Sequence, residues 1–90
     1  MEHNPGNTFV RYGLAMEYVK SGALEAAVSE FEALLAADPG YSAGYFHGGQ
    51  TLEKLGKREE AREFYRRGVA VTSDPHARSE LQVALDILGD

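Results

Sequence analysis

The 90-residue sequence predicts an all-α chain of five helices arranged as antiparallel pairs. Three observations carry this expectation. Apolar residues recur at three- and four-residue steps in five separate segments, a glycine or a proline-containing turn separates each segment from the next, and the pattern returns after 34 residues. No segment shows the strict alternation of apolar and polar side chains that marks a strand.

The first helix is expected from Thr8 to Ser21. Val10, Leu14 and Tyr18 recur at four-residue steps with Ala15 beside them, and this is the stripe expected to be buried. Gly22 ends it. In the second helix Leu24, Ala27, Val28, Phe31, Leu34 and Leu35 keep the same period until "ADPG", where Pro39 cannot continue a helix. So short a turn between the two makes them antiparallel. The third helix spans about Ser42 to Leu55 and stops at Gly56; the fourth spans about Arg58 to Val71 and ends before "SDP". The fifth, "PHARSELQVALDIL", has Asp74 as its N-cap and Pro75 in the first turn, where the missing N–H is not needed. Its Leu81, Ala84, Leu85 and Leu88 form a stripe expected to cover the second pair. Val83 and Ile87 point away from that stripe and are expected to be buried in a homodimer or against a partner.

Composition excludes several function classes. The chain has no cysteine, so disulfides, thiolate metal sites and thiol nucleophiles are out together. A net charge of −5 argues against nonspecific nucleic-acid binding, which needs Lys and Arg to displace phosphate counterions. No apolar run approaches the ~18 residues of a membrane span, and "MEHNPGNTF" lacks the basic-then-apolar layout of a secretory signal, so no membrane partner and a cytoplasmic location are expected. His3, His47 and His76 are far apart in sequence and lack the spacing of a zinc helix; no metal or cofactor is expected. Glu30 with Glu32, and Glu59 with Glu60 and Glu63, fall on helix surfaces where water keeps them ionised, so no acid and base pair is predicted and the chain reads as a non-enzyme. Arg58, Arg62 and Arg66 are spaced by four on the fourth helix with Arg67 beside them; Glu59 and Glu63 can answer them, for example Glu63 with Arg67, leaving a solvated outer face or a docking stripe for an acidic partner.

The 34-residue period is readable position by position. Tyr12 corresponds to Phe46, Lys20 to Lys54, Gly22 to Gly56, Glu25 to Glu59, Ala27 to Ala61 and Phe31 to Tyr65. Within the first unit Leu14, Ala15, Tyr18, Ala27, Phe31 and Pro39 stand at the offsets of a known helix–turn–helix repeat, and Gly48, Gly49, Leu52, Ala61 and Tyr65 stand there in the second. The chain thus resembles the tetratricopeptide repeat family over residues 8–75. Arg11 replaces the early aromatic in unit one, and Pro75 arrives late, which lengthens the turn into the last helix.

This resemblance implies a right-handed superhelical array: a lead-in over 1–7, repeat one over 8–41, repeat two over 42–75 and a closing helix over 76–90. It also implies a non-catalytic module whose first helices line a concave groove for a peptide or protein segment. Carried onto this chain, the groove would show Phe9, Tyr12, Met16 and Val19 from helix one, and Phe46, His47, Gln50 and Glu53 from helix three. The Lys, Asn and Arg clamp by which some members hold a C-terminal carboxylate is missing, since Tyr12, Met16, His47, Ser79 and Val83 occupy the corresponding places. The alternative is a self-associating module whose groove and last helix form a homodimer interface. The same register settles "GYFHGGQT", residues 44–51, which departs from a phosphate-binding loop by Gln50 in place of Lys. No buried strand precedes it, and Gly48 and Gly49 fall inside a helix at a close contact between neighbours.

Overall fold

Helix limits fall where the stop residues stand. The computed structural model describes residues 5–89, in which α1 (Pro5–Ser21), α2 (Leu24–Ala37), α3 (Ser42–Lys54), α4 (Arg58–Val71) and α5 (Pro75–Leu88) follow one another. Gly22 and Gly56 have φ of 86° and 80°, a left-handed conformation that an L side chain resists. The Asp74 carboxylate accepts the His76 N–H at 3.1 Å and caps α5, with Pro75 in its first turn. Helix α1 begins at Pro5 rather than Thr8. Residues 5–7 of the expected lead-in are therefore helical, and 1–4 lie outside the described residues.

Each helix packs on the next, and α5 also reaches back to α3. The result is a slab with extents of 41 × 30 × 17 Å. Ala27, Phe31, Ala61 and Tyr65 are fully buried, so the positions related by the 34-residue period do the same job in both helix pairs. Residues 44–51 lie within α3, so that stretch forms no phosphate loop. A Cβ on Gly48 would stand 2.5 Å from the Phe64 ring, and one on Gly49 would fall on the ring of Tyr65. These two glycines admit the aromatic rings of α4.

Helix α1 turns a different face inward from the one its four-residue spacing suggests. Val10 and Leu14 are 67% and 43% exposed, whereas Ala15 is buried and Tyr12, Met16, Tyr18 and Val19 pack against the core. Ala15 and Tyr18 of the expected stripe do face inward; the repeat shows why Val10 and Leu14 do not. Val10 corresponds to Gly44 of α3, against which Leu34 and Leu35 of α2 pack, and Leu14 corresponds to Gly48, where Phe64 of α4 lies nearest and Phe31 of α2 next. Among the described residues no helix precedes α1, and the equivalent face stays open.

The arginines of α4 also differ from expectation. Arg62 is only 6% exposed; its Nε donates to the Gly89 carbonyl at 3.0 Å while its Nη1 lies 2.7 Å from Glu59. Arg58 donates to the Leu88 carbonyl at 2.6 Å. Both cations thus satisfy acceptors at the C-terminal end of α5, where a helix leaves carbonyls unpaired and favours positive charge. Glu63 pairs with Arg66 at 3.2 Å, not with Arg67, whose guanidinium carbon stands 5.4 Å from the ring centroids of both Tyr45 and Phe64. The four do not form one solvated docking stripe. Arg62→Met is expected to cost about 1.5–3 kcal/mol, the range for hydrogen bonds to a charged group. Native-state hydrogen exchange should show that loss concentrated in α5.

The turn into α5 is pinned from three sides. The Ser42 and Thr72 hydroxyls are hydrogen-bonded at 2.8 Å, Thr72 Oγ1 accepts the Asp74 N–H at 3.2 Å, and Arg78 donates to the Thr72 carbonyl at 2.7 Å. These bonds fix how α5 lies beside α3 and so shape the space between them.

Candidate protein-binding site

The space between α3 and α5 is an open cleft of about 400 Å³. From α3 it receives Phe46, Gln50 and Glu53, three of the residues expected in the groove. From α5 it receives Val83 and Ile87, expected instead as a separate self-association edge. The structure brings these two sets together. Val83 and Ile87 are 53% and 80% exposed, while Phe46 is half-buried with its ring 6.4 Å from that of Tyr65.

The α1 residues have a different situation. Tyr12 packs among the rings of Phe31, Tyr41 and His47, at centroid distances of 6.3, 5.5 and 5.9 Å. Met16 and Val19 also lean on the core, and only Phe9, at 70% exposure, stands free. None of the four lines the α3–α5 cleft. His47 is half-buried between Tyr12 and Phe46.

Three further residues of the cleft escape a reading by apolar pattern. Tyr65 donates its hydroxyl to Glu53 Oε2 at 2.5 Å, which orients that carboxylate. Burial, then the Glu53 bond, push the Tyr65 hydroxyl well above its ordinary range, so it stays protonated as the donor. His76 and Glu80 face each other with Nε2 and Oε2 3.3 Å apart. Their signal is in the sequence all the same: His76, Glu80, Val83 and Ile87 recur at four, three and four residues, one continuous face of α5. Among the described residues no three acidic or imidazole groups are placed to hold a metal ion, and no helix is long and apolar enough to cross a membrane.

Burial lowers the His47 pKa from its ordinary 6.5, against the opposing pull of the Glu80 carboxylate. A depressed folded value means that the unfolded chain takes up this proton first as pH falls. The His47 contribution to stability is complete above 6.5 and is lost as pH drops through the folded value. His47→Gln should flatten part of the fall in urea midpoint between about pH 7.5 and about pH 5.5. An unchanged pH dependence would contradict the assignment.

Comparison with known proteins agrees with the repeat seen in packing. A tetratricopeptide repeat family profile matches residues 18–84, from the last turn of α1 through α2, α3 and α4 into α5. The chain belongs to the tetratricopeptide repeat family. A solution NMR structure of a tetratricopeptide repeat domain protein from Salinibacter ruber is 32% identical and superposes with a TM-score of 0.88, over 97% of this chain and 91% of that one. A crystal structure of a tetratricopeptide repeat domain protein from the same organism is 33% identical, with a TM-score of 0.82 over 90% and 94% of the respective chains. No curated protein matches significantly. Tetratricopeptide repeats generally serve protein–protein interaction without catalysis. In this member α3 and α5 frame the cleft.

Proposed function

We propose that this tetratricopeptide repeat protein is a non-catalytic adaptor that holds a peptide or protein segment in the α3–α5 cleft. One observation carries the reading: Val83 and Ile87, the most exposed aliphatic pair on α5, face the same open cleft as Phe46. A volume of about 400 Å³ falls within the ~300–1,000 Å³ range of ligand sites, and an apolar floor with a few polar groups is their usual composition. A closing helix that served only to end the array would be polar on its outer side.

Self-assembly through the same cleft is the second reading. It draws on Val10 and Leu14, which leave another apolar face open on α1. Sedimentation equilibrium over a wide concentration range separates the two. The adaptor reading expects a monomer throughout; a dimer that Ile87→Ser dissociates would support self-assembly instead.

A further inference from the structure

Apart from the His76 imidazole, 3.3 Å from Glu80, the cleft's charged groups are all carboxylates. Glu53 and Glu80 stand at its rim, Gln50 and Ser79 add neutral polar groups, and its lining contains neither Lys nor Arg among the described residues. Lys54 shares a separate shallow recess with Gln50 and Glu53 but does not line the cleft. The basic side chains of α4 have work elsewhere: Arg58 and Arg62 bond the end of α5, and Arg67 lies over Tyr45 and Phe64. Glu53 gives one oxygen to Tyr65, which leaves Oε1 for a ligand, and Glu80, whose Oε2 faces His76 at 3.3 Å, keeps Oε1 on a side chain that is 55% exposed. A segment entering here meets an apolar wall at Val83 and Ile87 and carboxylates beside it.

Resting on the adaptor reading, we infer that the cleft selects a protein segment with apolar side chains flanked by Lys or Arg. Leu- or Ile-sized groups cover Val83, Ile87 and Phe46, and the cations meet Glu53 and Glu80. An acidic segment of the same shape is repelled, which discriminates between partners more than it adds affinity. The net charge of −5 reinforces the choice by drawing cationic segments in at long range.

Fluorescence anisotropy with labelled synthetic peptides tests this. One carries Leu and Lys, a second has Glu at every Lys position, and a third keeps Lys but replaces Leu with Ser. The first should bind, and the other two should bind at least about tenfold more weakly. Glu53→Gln with Glu80→Gln should weaken the Leu/Lys peptide about three- to tenfold, whereas Glu25→Gln with Glu32→Gln on α2, equal in charge change, should shift it less than about twofold. Ile87→Ser should weaken it about tenfold or more. Equal binding of the Leu/Glu peptide, still lost in Ile87→Ser, would overturn the charge selection and leave the adaptor reading standing. Equal binding of the Lys/Ser peptide, equal loss in both Gln pairs, or no binding of any peptide would overturn the inference. Leu/Lys binding indifferent to Ile87→Ser, or a dimer that this change dissociates, would remove the adaptor reading with it.

Discussion

Gly49→Ala is expected to lower the free energy of unfolding by about 1–3 kcal/mol, the usual cost of forcing a carbon into a filled core. Helix propensity alone points the other way, since Ala is favoured over Gly by about 1 kcal/mol inside a helix. Packing wins because the added Cβ would fall on the ring of Tyr65, which is fully buried and whose hydroxyl is held by Glu53. That ring cannot step aside without losing its hydrogen bond. Gly13, also within a helix, has nothing within 4 Å of its added Cβ. Gly13→Ala should accordingly raise stability by about 0.5–1 kcal/mol. Urea unfolding of the two variants checks both signs, and equal signs would contradict the packing argument.

Phe31→Ala carries the largest expected cost, about 3–5 kcal/mol for a buried aromatic. Phe31 is fully buried, touches the Tyr12 ring of α1 and lies against Gly48 of α3, so it joins three helices at once. A chain of this size has about 0.05–0.15 kcal/mol of stability per residue, so one such loss removes much of the total. Phe9→Ala, at a ring that is 70% exposed, should change stability by no more than about 0.5 kcal/mol. Thermal and urea unfolding of this pair also test which face of α1 is inward. A Phe9 effect as large as that of Phe31 would mean that Phe9 is buried in solution.

The parts of the fold that were legible in the sequence are those set by local chemistry. Gly22 and Gly56 mark helix ends through their left-handed backbone, Asp74 with Pro75 marks a helix start, and Leu81 with Leu88 marks the inner side of α5. The inward face of α1 was not legible from spacing, because apolar side chains occur all round that helix. Comparing Val10 with Gly44 holds part of the answer, since that glycine is where Leu34 and Leu35 of the preceding helix land. The roles of Arg58 and Arg62 depend on acceptors 30 and 27 residues away, which no local pattern reveals.

The candidate site divides along the same line. Phe46, Gln50 and Glu53, and separately Val83 and Ile87, could each be picked out by position on a helix. That they face one another depends on the pose of α5, fixed by the bonds of Thr72 to Ser42, Asp74 and Arg78. Glu80 enters the cleft for the same reason, whereas Tyr65 reaches it from α4 over Gly49 of α3.

Selection of peptides from a displayed random library on the wild-type protein, with each enriched peptide then tested against Ile87→Ser, addresses the central claim most directly. The expected result is a set of sequences sharing apolar residues beside Lys or Arg, whose binding Ile87→Ser removes. Enriched peptides that bind Ile87→Ser as well as the wild type would contradict the cleft as the binding site.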